Sequence, residues 1–178
     1  MNRKEFLRLS SGIIGGLAIP GTSWSSARAA ESGDGAALDV SYLTRGLTGM
    51  ARAKGWFDAH WGAGVLAGYY LCTENRLDGE TIAGIKKQLD VVIQLRAGQF
   101  APLPKERADE ALIASVPRAL LPAVRGGLRA HGHAVIFASL STRALRDVPE
   151  MAQPALIDAL CSLSRQIGRK KPQLLKGK

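Results

Sequence analysis

The sequence predicts an all-α protein, an antiparallel bundle of about five or six helices, and three observations carry that prediction. Apolar residues recur at intervals of three and four over most of the chain, the spacing of one helix face. Glycine and proline breaks cut this pattern into helix-length segments joined by short connections. No stretch alternates apolar and polar residues with the period of two that a half-buried strand requires.

The first periodic segment covers about residues 38–53 and stops at Lys54-Gly55. The second starts at Asp58 or His60 and reaches about Asn75. Gly62, Gly64, Ala67 and Gly68 interrupt its apolar residues and allow a neighbouring helix to approach closely. Asp78 is placed to cap a third helix, in which Ile82, Ile85, Leu89, Val92 and Leu95 or Arg96 recur at three and four. Residues 98–104, with two prolines, read as a loop. Residues 106–129 read as a helix kinked or divided near Val116-Pro117 and Leu121-Pro122, because proline removes a helical N–H and restricts the residue before it. After Gly132, residues 134–146 give an apolar surface through Val135, Phe137, Ala138, Leu140 and Leu145, ended by Asp147-Val148-Pro149. A last helix, from about Pro154 to Arg169, buries Ile157, Leu160, Cys161, Leu163 or Ser164 and Ile167. In this rhythm of helix pairs the chain also resembles part of an α/α toroid, the architecture of terpenoid-cyclase-like and glycan-cleaving families. None of their motifs is present, so that likeness carries no catalytic residue across.

The amino terminus has a different organisation. A basic head with Arg3, Lys4 and Arg8 precedes a weakly apolar run over residues 9–20 and a small-residue end at Ala27-Arg28-Ala29, the layout of a cleavable secretory signal. The order Arg3-Lys4-Glu5-Phe6-Leu7-Arg8 resembles the twin-arginine export signal of bacteria, with Lys4 where the second arginine stands, so the general secretion route stays open. The twin-arginine resemblance implies folding before export and raises the prospect of a cofactor without naming one. The expected organisation is a signal peptide over 1–29, a flexible lead-in over 30–37, one helical domain over 38–170 and a basic tail over 171–178. The expected location is the periplasm or cell envelope.

The chain carries 24 basic and 15 acidic residues, a net charge of +9; without residues 1–29 the balance is 20 against 14, or +6. Part of the basic excess is therefore a targeting feature. The remainder suits an anionic small molecule or an envelope protein as partner, whereas an exported chain with few aromatics among its basic residues is a poor candidate for nucleic acid. No segment after residue 29 has the roughly 18 apolar residues of a membrane span. Cys72 and Cys161 read as two small buried side chains, with a single bridge in an oxidising compartment as the alternative.

Chemistry concentrates at three histidines. His60 begins the second helix within Trp56-Phe57-Asp58-Ala59-His60-Trp61, and His131 and His133 flank Gly132 at the start of the fifth. Should those two helices run parallel, both groups meet at one end of the bundle, where helix N-termini favour an anion. Asp58 is then placed to orient His60 or His133 for acid or base work, and Trp61, Arg129 and His131 to bind a ligand. The competing reading is a set of hydrogen-bonded structural histidines. No metal site is assigned, because His-x-His on a helix points its rings apart, and no cofactor is identified. The aromatics around His60 read as core or as a stacking wall, with Tyr70 expected against Trp56 or Trp61. Arg118, Arg125 and Arg129 share one helical face if the helix passes Pro122. Three functions follow: an exported domain binding a small or anionic ligand or a partner protein; an envelope enzyme with a His/Asp pocket; or a subunit of a larger envelope assembly that uses Gly64 and Gly68 as an interface.

Overall fold

The computed structural model describes residues 38–125 and 127–172, all within one compact unit, Ser32–Lys178. The signal-peptide and lead-in readings, and residues 173–178 of the tail, lie outside the described residues. Every regular element among the described residues is helical, as the sequence predicts. In chain order these are α1 (Ser41–Ala51), α2 (Ala59–Glu74), α3 (Gly79–Leu95), α4 (Ala97–Phe100), a 3-10 turn at Glu110–Ala114, α5 (Ser115–Arg118), α6 (Leu121–Val124), a turn at Ala130–Gly132, α7 (His133–Asp147), a 3-10 turn at Pro149–Met151 and α8 (Pro154–Gly168). The five helices of 11 to 17 residues, α1, α2, α3, α7 and α8, form the bundle. None is long and apolar enough to cross a membrane.

The pair α1 and α2 is the tightest contact, and glycine is the reason. A Cβ on Gly62 would stand 2.5 Å from the Gly46 carbonyl oxygen, 2.7 Å from the Gly49 carbonyl carbon and against the Met50 nitrogen, so the two backbones pack directly on each other. Leu43, Leu47, Met50 and Leu66 fill the space on either side and are almost fully buried. α8 closes the core from below with the face the sequence marks out: Ile157, Leu160, Cys161, Leu163, Ser164 and Ile167 are all buried. The thiols of Cys72 and Cys161 are both free and buried, and burial raises their pKa above the ordinary thiol value.

The small-residue face of α2 is divided between two environments. Gly68 lies under Leu89 of α3, whereas a Cβ on Gly64 would meet open space, so the two do not form one exposed surface. α3 itself follows the sequence closely at its start, where the Asp78 carboxylate accepts from the Thr81 N–H at 2.8 Å and from its hydroxyl at 2.7 Å. Its apolar stripe is only half covered, however. No residue of α3 is fully buried and Leu95 is 69% exposed, because α3 rests on the flank of α2 rather than between two layers. The Tyr42 hydroxyl ties it down by donating to Asp90 at 2.5 Å.

Two expectations for the middle of the chain are corrected. Helical turns continue past Gly98 to Phe100, because buried Phe100 covers Gly49 and the Gln99 amide donates to the carbonyls of Gly49 (2.8 Å) and Asp58 (3.1 Å). Residues 106–109 are not helical. They run extended beside the start of α8, where the Asp109 N–H donates to the Ala152 carbonyl at 2.9 Å and the Glu106 carboxylate accepts from the Ala155 N–H at 2.9 Å. Helical turns begin only at Glu110 and end at Val124. Arg118, Arg125 and Arg129 therefore share no helix face.

Candidate functional site

α2 and α7 run parallel. At one end His60 faces His133, and at the other the Tyr70 hydroxyl donates to Asp147 at 2.6 Å while Arg143 pairs with Glu74. Ten helical residues, about 15 Å, separate His60 from Tyr70. The side-by-side start of the two helices thus brings together histidines 73 positions apart in sequence, with ring centroids 4.7 Å apart.

Each ring is held by the chain just before its helix. The His60 Nδ1 lies 2.8 Å from the Phe57 carbonyl oxygen, and the His133 Nδ1 lies against the Ala130 carbonyl oxygen. A carbonyl only accepts, so in the neutral rings Nδ1 carries the proton and Nε2 the lone pair. Main-chain carbonyls thus occupy the orienting position that the sequence assigns to Asp58. Asp58 stands one residue before α2 and offers its own carbonyl to Gln99. Burial lowers the His60 pKa below the ordinary 6.5, and the neighbouring His133 ring lowers it further, against the opposing effect of the Phe57 carbonyl.

Aromatic walls surround the pair. Trp56 lies 5.7 Å from His60 and 5.1 Å from His133, Phe57 lies 5.3 Å from His60, and Phe137 lies 5.3 Å and 5.7 Å from the two imidazoles. Phe137, which the sequence marks only as apolar surface of its helix, belongs to this site because it stands four residues after His133, one turn along the same face. Trp61 points elsewhere: its ring lies under the Arg96 guanidinium, 4.7 Å away, on the α3 side of α2. Tyr70 meets Tyr69 and Arg143 and not the tryptophans, since it lies at the opposite end of α2.

The segment leading into α7 is strained. Ala130 and His131 have φ of +45° and +55°, followed by Gly132 at +82°. Left-handed backbone costs a residue with a Cβ roughly 1–2 kcal/mol, so two such residues in sequence need external support. Arg129 provides it. Its Nε donates to the Lys170 carbonyl at 2.9 Å and its Nη1 to the carbonyls of Arg125 (2.6 Å) and Gly127 (3.2 Å), fastening this loop to the end of α8. The guanidinium is thus engaged with backbone. Buried Ala130 anchors the turn, His131 is exposed with its ring 6.5 Å from His133, and the turn aims the Ala130 carbonyl at the His133 ring. Among the described residues no group of three or more histidine, cysteine or acidic side chains is arranged to hold a metal ion.

The site therefore consists of two carbonyl-oriented imidazoles that meet edge to face, their planes 63° apart, in an aromatic surround supported by a strained turn. Comparison with family models, with curated proteins and with solved structures finds no match for this chain.

Proposed function

We propose that this chain is an exported helical domain that binds a small anionic ligand at the His60–His133 pair. The observation that carries the reading is the pair itself: two neighbouring imidazoles whose Nδ1 protons are held by main-chain carbonyls, so that each neutral ring keeps its lone pair on Nε2. Burial and the neighbouring His133 ring disfavour an added proton on His60. A carboxylate or phosphate oxygen beside Nε2 stabilises that added proton through a charge-assisted hydrogen bond, and Trp56, Phe57 and Phe137 supply apolar contact for the rest of the ligand. Anion binding is thereby coupled to proton uptake. Export rests on the arrangement of residues 1–29 and places the domain in the periplasm or cell envelope.

Titration calorimetry with inorganic phosphate at pH 6 and pH 8 tests the binding step. Affinity is expected to be at least tenfold greater at pH 6 and to disappear in His60→Gln and His133→Gln proteins of unchanged melting temperature. Equal affinity at both pH values, or full binding by both variants, refutes it. The intact mass of the protein recovered from the envelope fraction tests export, with a chain starting at Ala30 expected and one retaining Met1 contradicting it. A second reading, an enzyme using His60 as general base, is favoured by the lowered pKa of that ring, which keeps Nε2 unprotonated at neutral pH.

A further inference from the structure

A second polar cluster lies some nine residues further along α7. A cavity of about 240 Å³ opens between α5–α6 and α7, lined by Pro117, Leu120 and Ala138 on its apolar side and by Ser139, Thr142, Arg143 and Arg146 on its polar side. The four polar residues follow the spacing i, i+3, i+4, i+7, so they form one stripe of α7. The volume lies below the roughly 300–1,000 Å³ of sites for drug-sized molecules, which limits the occupant to a small compound.

Two features of this lining call for an anion. The Thr142 Oγ1 is buried and has no hydrogen-bond partner among the described residues, whereas a buried hydroxyl in a folded protein is normally satisfied. Helical threonines usually bond back to the preceding turn, as Thr48 and Thr73 do here. The second feature is the imbalance of charge. Arg143 is matched by Glu74 and its guanidinium lies 3.9 Å above the Tyr70 ring, and the Asp147 carboxylate accepts from the Tyr70 hydroxyl. Arg146 has no hydrogen-bond or ion-pair partner among the described residues and lines the same cavity.

We propose that this groove is a binding site for a small carboxylate with an apolar tail, its carboxylate received by Arg146 and the Thr142 hydroxyl and its tail lying on Pro117, Leu120 and Ala138. The site is separate from the histidine pair, since His133 and Thr142 are about 13 Å apart along the helix. An arginine and a hydroxyl donor together match the two oxygens of one carboxylate. Phosphate matches the donors without using the apolar side, and a neutral alcohol leaves Arg146 unanswered.

Amide and arginine side-chain NMR shifts of the whole chain, followed during titration with hexanoate, test this, with acetate and hexanol as comparisons. Saturable shifts are expected at Ala138, Ser139, Thr142 and Arg146, with hexanoate at least fivefold tighter than either comparison. Thr142→Val and Arg146→Gln are each expected to weaken hexanoate at least fivefold. Thr142→Val should also raise the melting temperature of the ligand-free protein, because it removes a buried hydroxyl that has no partner. Tighter folding with weaker binding is an outcome that damage to the fold does not produce. Shifts confined to other residues, equal response to hexanol, or unchanged affinity in both variants would overturn the proposal, whatever the result of the phosphate titration at the histidines.

Discussion

Replacing Gly62 by alanine isolates the contact on which the bundle is built. The new Cβ would stand 2.5 Å from the Gly46 oxygen and 2.7 Å from the Gly49 carbonyl carbon, where ordinary contacts begin at about 3.5 Å. Both neighbours are backbone, so no side chain can rotate away. α1 and α2 must separate by about 1 Å, which takes the surrounding Leu43, Leu47, Met50 and Leu66 off their packing optimum. Overpacking of a core costs roughly 1–3 kcal/mol, and a backbone clash belongs at the upper end. Alanine returns about 1 kcal/mol of helix propensity. The net loss is about 2 kcal/mol, a fall of roughly 6–8 °C in melting temperature for a domain of this size. Gly64→Ala, two residues on, is the control. A Cβ there meets nothing within 4 Å, so only the propensity gain of up to about 1 kcal/mol applies and the melting temperature rises. Calorimetric melting of both variants reads the result. A Gly62→Ala protein that melts at or above the wild type refutes the close approach of α1 and α2, as do equal shifts from the two substitutions.

Further outcomes follow from the other contacts. His60 has a folded pKa below its unfolded 6.5, so above pH 6.5 both states are neutral, and as pH falls below that value the unfolded chain takes up the proton first and stability declines. Urea denaturation between pH 7.5 and pH 5 should show this decline, and it should be smaller in His60→Gln. His131→Gly relieves a left-handed residue at an exposed position and is expected to stabilise the protein by about 1 kcal/mol in the same assay; destabilisation would mean that the turn is not strained. Tyr70→Phe removes the hydroxyl bonded to Asp147 and should cost about 1 kcal/mol. The Tyr70 phenol, raised by burial and by the Asp147 carboxylate, should ionise above the free-tyrosine value of 10.0 in a spectrophotometric titration, and Asp147→Asn should move it down. Because the unfolded chain loses that proton first, this interaction weakens as pH rises above 10.

Local sequence pattern specifies the all-helical class, the extents of α2, α3 and α8 to within a residue or two, the Asp78 cap and the buried face of α8. These depend on interactions within one helix, such as the i, i+4 repeat, a side chain capping the first turn, or a proline that ends it, and such interactions are written in neighbouring residues. It also placed His60 and His133 at helix starts and made their meeting conditional on α2 and α7 running parallel. That condition belongs to tertiary structure, because helix direction is set by which faces pack together and not by either segment alone. The path of residues 106–109 was hidden for the same reason: its N–H groups find their partners in the Ala152–Ala155 region, some 45 residues away in the chain. The duties of Arg129 and Trp61 were equally illegible, since a guanidinium fastened to Lys170 and an indole under Arg96 are decided by distant residues. Only the folded chain fixed the left-handed Ala130-His131 turn, because local sterics disfavour it and its support comes from the end of α8.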